Sequence, residues 1–268
     1  MNKKQPVIKW SGSKRLLADE IIKYFPSKFN TYFEPFLGGG SILLRLAPEK
    51  AICVDINNSL IDFWNKLKNS PEFLASHYQK EWNLLQNNYR EFFVVRDRYN
   101  TTPTGEDLLF LSRTCVNGLI RYNKNGKFNN SLHYSRKGVN PDTLSNVLFE
   151  ASKQVQNYEF FAGDYSQILS QVSSGDFVYL DPPYFNTKNM YFGKIDYEKL
   201  WDFLRELNKK GVKYALSFDG TSEQRKYECI VPKDLYKRHI LIKGLKSTFN
   251  KVIDKNLNNT MESLFLNY

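Results

Sequence analysis

This chain contains few residues of the types that form cross-links or bind metal ions. Its 268 residues include three cysteines, Cys53, Cys115 and Cys229, and three histidines. The cysteines lie far apart and form no Cys-x-x-Cys pair, so the sequence predicts neither a disulfide framework nor a structural zinc site, and we expect no metal ion. This cysteine usage is typical of a reducing compartment, the cytoplasm.

Long apolar runs are also absent. No stretch approaches the roughly 18 uninterrupted apolar residues of a membrane helix. No apolar segment follows Lys3 and Lys4 near the N-terminus, so we expect neither a membrane span nor a secretory signal. Apolar residues nevertheless make up 41% of the chain and aromatic residues 15%, which supplies a sizeable core and excludes global disorder. The length fits one large α/β domain, alone or with a smaller insert.

Acidic residues are missing from one long stretch of this basic chain. Lys and Arg number 38 against 28 Asp and Glu, a formal net charge of +10, and residues 108–141 contain no acidic residue. A basic excess favours a polyanionic partner, with a solvated basic surface as the simpler alternative. Asn125-Gly126 lies in this stretch between polar and aromatic residues, a strong signal for a tight hairpin turn. A basic hairpin can enter a DNA groove, and a solvated surface hairpin is again the alternative.

Short apolar or β-branched runs, bounded by turn residues, alternate with amphipathic helical patterns. The runs predict strands at 31–36, 51–56, 159–162, 177–180, 213–218, 240–243 and 263–268, and the patterns predict helices at 16–25, 59–67, 71–87 and 197–210. This alternation indicates an α/β fold with a doubly wound, mostly parallel sheet. Strands are scarce in the middle of the chain, so we predict a sheet domain formed by residues 1–57 and 156–268, with a helical and hairpin insert at 58–155.

The sequence Asp181-Pro182-Pro183-Tyr184 directly follows a predicted buried strand. Neither proline has an N–H group to donate to a sheet, so the chain must leave the sheet at this point. Open α/β sheets bind their ligands at this carboxyl edge. The motif therefore presents a carboxylate, a stiff backbone and an aromatic ring at a candidate catalytic site, the alternative being a proline-rich turn with a capping aspartate.

A glycine-rich turn, Gly38-Gly39-Gly40, separates the predicted strand 31–36 from an apolar run that begins at Ser41. Glycines let the backbone turn tightly and approach a ligand closely at a helix N-terminus. The turn lacks both the Gly-x-Gly-x-x-Gly pattern of dinucleotide sites and the Walker lysine. Asp55 ends the next predicted strand, where an acid can accept hydrogen bonds from both hydroxyls of a ribose. An N-cap for the following helix is the alternative.

Taken together and in this order, these elements resemble the Dam-type DNA adenine-N6 methyltransferases, which use S-adenosyl-L-methionine (AdoMet). The resemblance spans nearly the whole chain. It matches residues 9–14 to the N-terminal cofactor motif, 34–41 to the glycine motif, 55–57 to the ribose acid, 113–129 to the target-recognition hairpin, 163–165 to the segment that holds the cofactor adenine and 181–184 to the catalytic motif.

The resemblance implies a doubly wound, mostly parallel, seven-stranded methyltransferase sheet that binds AdoMet. The cofactor-binding residues that it implies are Trp10, Lys14, Phe36, Gly38, Gly40, Ser41, Asp55, Ile56, Asp164, Tyr165 and Asp181. Two of these have simpler interpretations, Trp10 as a core aromatic and Lys14 as a solvated helix start.

By the same analogy, the Asp181 carboxylate and the Pro182 carbonyl accept the two N–H bonds of the target adenine's amino group. Tyr184 stacks on the adenine once it has been flipped out of double-stranded DNA. The chemistry requires no covalent intermediate, which agrees with the scattered cysteines. The implied DNA-binding residues are Arg113, Asn117, Arg121, Asn123, Lys124, Lys127, Asn129, His133 and Arg136. Arg121 and Asn129 are the best candidates for reading bases, and phosphate contact suits His133 and Arg136 better.

Two departures from the family pattern weigh against a GATC target. Val116 stands where many GATC-specific relatives have an aromatic residue before Asn-Gly-Leu, and residues 129–141 differ from the Val-Pro-Phe-Gly-like segment of those relatives. The resemblance further implies a restriction-modification or phage/host methylation system in a bacterial or phage-infected cell. It implies a monomer and a cognate endonuclease that acts separately.

Three alternative functions stay open at this point. RNA adenine can serve as the substrate of the same catalytic motif. A DNA-binding relative that has lost catalysis is a second alternative, against which the intact cofactor and catalytic motifs argue. Glutamine methylation in a protein is a third, although those enzymes generally carry asparagine where this chain has Asp181.

Overall fold

The computed structural model describes residues 5–183, 195–218, 230–243 and 261–268. Within these ranges, one sheet contains the strands β1 (Tyr32–Glu34), β2 (Ala51–Asp55), β3 (Tyr158–Ala162), β4 (Phe177–Leu180), β5 (Lys213–Phe218), β6 (Arg238–Lys243) and β7 (Met261–Leu266). Their spatial order is β3-β2-β1-β4-β5-β7-β6. Strands β1 to β5 pair in parallel, whereas β7 runs antiparallel to both β5 and β6. The predicted strands and the mostly parallel, doubly wound sheet are confirmed.

Strands β1 and β4 lie at the centre of the sheet and are buried on both faces. Tyr32 pairs with Phe177 and Phe33 with Val178 in the parallel register. Because successive side chains point to opposite faces, Tyr32 and Phe177 join one core cluster, and Phe33 and Val178 join the other. Burial on both faces explains why β4, Phe177–Leu180, is a continuous run of apolar and aromatic residues in the sequence.

The helices of the described ranges flank this sheet. They are α1 (Ala18–Ile22), α2 (Ser41–Leu46), α3 (Asn58–Asn69), α4 (Pro71–Asn87), α5 (Glu91–Thr101), α6 (Gly105–Thr114), α7 (Pro141–Gln154) and α8 (Tyr197–Lys209). The predicted helix at 16–25 forms instead as a 3-10 turn, Lys14–Leu16, followed by the short α1. None of the helices in the described part of the chain is both long and apolar enough to cross a membrane.

The middle of the chain is helical, as predicted, and contains α3 to α7 together with a hairpin. The hairpin, residues 121–129, closes through an antiparallel bridge between Tyr122 and Phe128. Helix α3 contacts β2 and β3 of the sheet as well as α4, α6 and α7. Its buried Trp64 and the buried Phe110 of α6 belong to the same core cluster as Tyr32 of β1. The division into a sheet domain and an insert at 58–155 stays a prediction.

Candidate active site

The chain order of the sheet reverses between β1 and β4, and the predicted chemical groups follow the carboxyl ends of these strands and their neighbours. The glycine turn follows β1, Asp55 ends β2, Asp164 follows β3 and Asp181 follows β4. Such a reversal point is where open α/β sheets bind ligands. Parallel strands thus bring together groups that are up to 143 residues apart, the separation of Gly38 and Asp181.

Two tryptophans pack closely on the glycine turn. Gly38 and Gly40 adopt left-handed backbone conformations with φ of +50° and +60°. A Cβ atom on Gly38 would lie 2.9 Å from Cδ1 of Trp10, and one on Gly40 would lie 2.5 Å from Cζ2 of Trp64. The Trp64 indole N–H also donates to the Gly38 carbonyl at 3.1 Å. Both glycines are therefore required by conformation and by space.

Asp55 is held by backbone groups on both sides. Its Oδ2 accepts from the N–H of Gly38 at 2.9 Å, and its Oδ1 accepts from the N–H of Asn57 at 2.9 Å. Burial raises the pKa of Asp55 above its ordinary value, against the effect of these two hydrogen bonds. The N-cap of α3 is Asn57, whose side chain accepts from the N–H of Leu60. The N-cap interpretation of Asp55 is therefore wrong. Neighbouring Ile56 is 55% exposed, an apolar side chain open to solvent at this edge.

An aromatic pair lies beside the glycine turn. The ring of Tyr165 stacks on that of Phe36 with centroids 5.1 Å apart, and Phe203 of α8 meets it edge-on at 5.1 Å. Burial raises the pKa of Tyr165 to about 12, so its hydroxyl is neutral at physiological pH. Asp164 is exposed and caps the 3-10 turn that follows β3, accepting from the N–H of Ser166 at 2.9 Å. The structure thus brings Phe36 and Tyr165 into contact, and their binding of a cofactor stays a prediction.

The N-terminal motif contacts both the glycine turn and Asp181. The hydroxyls of Ser13 and Ser41 are 2.6 Å apart. The Lys14 ammonium lies 2.6 Å from Oδ1 of Asp181 and 3.5 Å from Oε1 of Glu262 in β7. Lys14 is only 8% exposed, so its interpretation as a solvated helix start is wrong. A cofactor contact of Lys14 stays a prediction, since the contacts seen for its ammonium are with the carboxylates of Asp181 and Glu262.

Two acidic residues near Asp181 were not predicted from the sequence to belong to the site. One is Glu262, which shares the Lys14 ammonium. The other is Glu34, which ends β1, is 2% exposed and accepts from the Tyr32 hydroxyl at 2.8 Å. Burial raises the pKa of Glu34 to about 8, and the charge of Asp181 acts in the same direction. Glu34 was visible only as part of the glycine motif, and no local signal marks Glu262.

The proline pair leaves the sheet as predicted. Asp181 follows β4 without a gap, and Pro182 is buried. The Pro183 carbonyl accepts from the hydroxyl of Tyr197, at the start of α8, at 3.1 Å. Tyr184, the predicted stacking platform, lies outside the described residues.

The predicted recognition hairpin, residues 121–129, has a regular backbone. The N–H of Asn123 donates to the Lys127 carbonyl at 2.8 Å, and the N–H of Asn129 donates to the Arg121 carbonyl at 3.0 Å. The Arg121 Nε also donates to Oδ1 of Asn129 at 3.1 Å. The two base-reading candidates therefore lie side by side, and the predicted hairpin is confirmed.

Eight of the nine predicted DNA-binding side chains reach the surface, fully or in part. Those exposed are Asn117, Arg121, Lys124, Lys127, Asn129 and Arg136, and those half-buried are Asn123 and His133. Asn117 has a φ of +58°, a left-handed conformation that asparagine tolerates better than most residues. Its strain marks the Asn117-Gly118 turn as a candidate functional element.

The prediction that Arg113 contacts DNA is wrong. Arg113 is 3% exposed, and its guanidinium donates to the carbonyls of Pro6 and Val7. Burial lowers the pKa of Arg113 to about 10. A guanidinium enclosed by protein and bound to backbone carbonyls has no access to a phosphate, so Arg113 instead joins α6 to the N-terminal segment.

A family model described as the D12 class of N6 adenine-specific DNA methyltransferases matches residues 10–256. The chain belongs to this family. It is 31% identical to the Type II methyltransferase M.MjaIII of Methanocaldococcus jannaschii, over 98% of this chain and 99% of that one. It is 32% identical to the Type II methyltransferase M1.LlaDCHI of Lactococcus lactis subsp. cremoris, over 80% of each chain. It is also 32% identical to a DNA adenine methylase of Vibrio cholerae, over 69% of this chain and 66% of that one.

Family membership confirms the predicted reaction, adenine-N6 methylation of DNA, and does not favour the RNA, protein or inactive alternatives. The family and the fold of this methyltransferase imply AdoMet as the methyl donor. The chemistry of Asp55 fits this cofactor. A carboxylate oxygen has two lone pairs, so each oxygen of Asp55 that accepts one backbone N–H can also accept one ribose hydroxyl.

Proposed function

We propose that this methyltransferase modifies adenine N6 at one short sequence of double-stranded DNA, and that Asp181 and the Pro182 carbonyl act directly on the amino group. The amino lone pair of adenine is conjugated into the ring and is a poor nucleophile. Two acceptors aimed at its N–H bonds favour a tetrahedral nitrogen and stabilise the positive charge that develops there. The observation that carries this assignment is the position of Asp181 at the carboxyl end of β4, in the middle of the sheet and next to the point where the strand order reverses.

The Lys14 ammonium orients the Asp181 carboxylate in this proposal. The 2.6 Å contact between them occupies Oδ1. A carboxylate oxygen has more than one lone pair, so an oxygen that is paired with Lys14 can also accept an N–H of the adenine amino group. With Lys14 and Asp181 8% and 20% exposed, the ion pair is shielded from solvent, which strengthens its hold on the carboxylate.

The glycine turn, Asp55, Ile56 and Asp164 hold the cofactor in this proposal. When bound, AdoMet supplies an electrophilic methyl group on a sulfonium. The exposed Asp164 accepts from the cofactor's adenine, and the Phe36–Tyr165 pair forms the wall of the same pocket. Trp10 acts by packing under the glycine turn, which it contacts through Gly38 and Gly39.

The recognition hairpin and the Asn117 turn form the DNA surface. Arg121 and Asn129 suit base edges because a guanidinium and an amide form paired hydrogen bonds with them. Lys124, Lys127, His133 and Arg136 suit phosphates, which makes binding depend steeply on salt. The target base is inaccessible inside a duplex, so it must be flipped out. Stacking on Tyr184 stays a prediction.

Replacing Asp181 with alanine or asparagine tests the catalytic assignment. We expect methyl transfer to DNA to fall by roughly 100-fold to 1000-fold or more, as for other groups that stabilise developing charge, while AdoMet still binds. Transfer of labelled methyl groups to DNA measures the first quantity, and calorimetry measures the second. Asp97→Asn is the matched control, since Asp97 is exposed on α5 and pairs with Arg96. Turnover by Asp181→Ala near the level of this control would overturn the assignment.

The biological setting is proposed from the relatives, two of which are named Type II methyltransferases. We place this enzyme in a restriction-modification or phage/host methylation system, as a monomer whose cognate endonuclease acts separately. Modification-sensitive sequencing of DNA from a methylation-free host that expresses the chain would give the target sequence. N6-methyladenine scattered without a common motif would contradict sequence specificity.

A further inference from the structure

Four buried side chains form a closed ring of hydrogen bonds between the recognition hairpin and the cofactor edge of the sheet. Asn57 Nδ2 donates to the Tyr122 hydroxyl at 3.1 Å, and the hydroxyls of Tyr122 and Tyr99 are 2.8 Å apart. The hydroxyls of Tyr99 and Ser59 are 2.7 Å apart, and Ser59 donates to Oδ1 of Asn57 at 2.8 Å. We call these residues, Asn57, Ser59, Tyr99 and Tyr122, the hydroxyl ring.

The hydrogen positions in this ring follow from counting donors. Ser59 gives its one proton to Asn57, so Tyr99 must donate to Ser59. Tyr122 must then donate to Tyr99 while it accepts from Asn57. All donors point the same way around the ring, an arrangement in which each bond polarises and strengthens the next. All four residues are at most 8% exposed, so the loss of one partner leaves a buried polar group unpaired.

One side of the ring belongs to the recognition hairpin. Tyr122 lies between Arg121 and Asn123, two residues that are predicted to bind DNA, and its bridge partner is Phe128. The amide of Asn100 in α5 holds both backbone groups of Phe128, by donating to its carbonyl at 3.1 Å and accepting from its N–H at 2.7 Å. The hairpin is therefore fixed to α5. The Tyr122 hydroxyl is the group of the hairpin that enters the hydroxyl ring.

The other side of the ring continues to Asp55. Asn57 caps α3 with its side chain, which accepts from the N–H of Leu60 at 3.1 Å. Its backbone N–H donates to Oδ1 of Asp55 at 2.9 Å, and the other oxygen of Asp55 accepts from Gly38. The position of Asn57 therefore sets the orientation of the proposed ribose acid.

We propose that the hydroxyl ring couples the two binding sites, with Tyr122 as a positioning residue through which DNA at the hairpin and AdoMet at Asp55 each tighten the binding of the other. The proposal rests on the proposed function of these two sites. DNA that immobilises the hairpin also immobilises Tyr122, and the buried ring transmits the restraint to Asn57. A ligand that orders its own end of the hydroxyl ring reduces the conformational entropy that is lost when the second ligand binds. Coupling of this kind is reciprocal by thermodynamic necessity.

Tyr122→Phe tests the proposal because it removes one hydroxyl of the hydroxyl ring and keeps the aromatic side chain that packs on Phe128. The measurement is the dissociation constant of S-adenosylhomocysteine, a non-reacting analogue, with and without a duplex that carries the motif found by sequencing. The reverse measurement gives the duplex affinity with and without the analogue. We expect each ligand to tighten the other by at least about 5-fold in the wild type and by less than about 2-fold in Tyr122→Phe. Tyr99→Phe breaks the same ring and should behave alike.

Tyr78→Phe is the matched control. Tyr78 is 1% exposed, and its hydroxyl donates to the Val139 carbonyl at 2.8 Å, outside the hydroxyl ring. The same hydroxyl accepts from the N–H of Val139 at 3.0 Å. The variant therefore loses two buried hydrogen bonds, as Tyr122→Phe does, and should keep the wild-type coupling. Wild-type coupling in folded Tyr122→Phe and Tyr99→Phe, equal loss of coupling in Tyr78→Phe, or no coupling in an active wild type would each overturn the proposal. A wild type that binds no analogue at all would instead overturn the proposed function.

Discussion

Replacing Gly40 with alanine is expected to disrupt the glycine turn through two separable effects. The first is conformational, because Gly40 has a φ of +60° and a Cβ atom in the left-handed region costs roughly 1–2 kcal/mol. The second is steric, because the new Cβ would lie 2.5 Å from Cζ2 and 2.6 Å from Cη2 of Trp64. Overpacking a rigid core costs roughly a further 1–3 kcal/mol. The free energy of unfolding should therefore fall by about 2–5 kcal/mol.

A matched control separates the two effects. Gly211 has a φ of +69°, and its nearest neighbour would be Oγ of Ser174 at 3.6 Å, an ordinary contact. Gly211→Ala should lower the free energy of unfolding by the conformational cost alone, about 1–2 kcal/mol. Urea denaturation measures both variants, and AdoMet titration should show weaker binding for Gly40→Ala only.

The clash can also be tested by removing its other partner. Trp64→Phe removes the part of the indole that faces Gly40, so the double variant Gly40→Ala/Trp64→Phe should lose less stability than the sum of the single variants, by about 1–3 kcal/mol. Additive losses, or a Gly40→Ala variant as stable as Gly211→Ala, would refute the claim that close packing by Trp64 requires glycine at this position.

Two further predictions concern a corrected residue and a buried acid. Arg113→Met should lower stability and leave the salt dependence of DNA binding unchanged. Lys124→Ala should instead reduce the slope of log affinity against log salt concentration by about 1. Equal slopes in the two variants would contradict the assignment of Arg113 to the protein interior and of Lys124 to a phosphate. Burial raises the pKa of Glu34 from 4.5 to about 8, so the folded chain binds this proton more tightly than the unfolded chain. The free energy of unfolding of the wild type should therefore fall relative to that of Glu34→Gln as the pH rises from about 4.5 to about 8. Urea denaturation over this pH range measures both proteins, and parallel pH profiles would show that Glu34 does not titrate this way.

The sequence carried local signals for most of the fold. Strand β4 is a continuous run of apolar and aromatic residues because both of its faces are buried. Pro182 marks the end of β4 because proline cannot donate to a sheet. The turn at Asn125-Gly126 was predictable because Gly126, with a φ of +72°, adopts a left-handed conformation that glycine tolerates and most residues resist. Each signal depends on residues that are close together in the chain.

Contacts between distant residues could not be predicted in the same way. Lys14 and Asp181 are 167 residues apart, and nothing near Lys14 in sequence indicates that its ammonium reaches this carboxylate. Arg113 belongs to the basic stretch by composition, yet α6 is buried along its length and carries the guanidinium inward. Charge in a sequence shows that a polyanion is a suitable partner, and only packing decides which cations remain at the surface.

The sequence by itself determined the chemistry, namely the Asp-Pro-Pro-Tyr motif, the glycine turn and the acid at Asp55, because these depend on residue type and local backbone. Tertiary structure alone decided how those groups are held. The pairing of Lys14 with Asp181, the burial of Arg113 and the hydroxyl ring that joins Tyr122 to Asn57 all arise where separate elements meet. A hydrogen bond between such elements tolerates a variation of only a few tenths of an ångström in the distance between donor and acceptor. The folded chain sets this distance, and no local pattern encodes it.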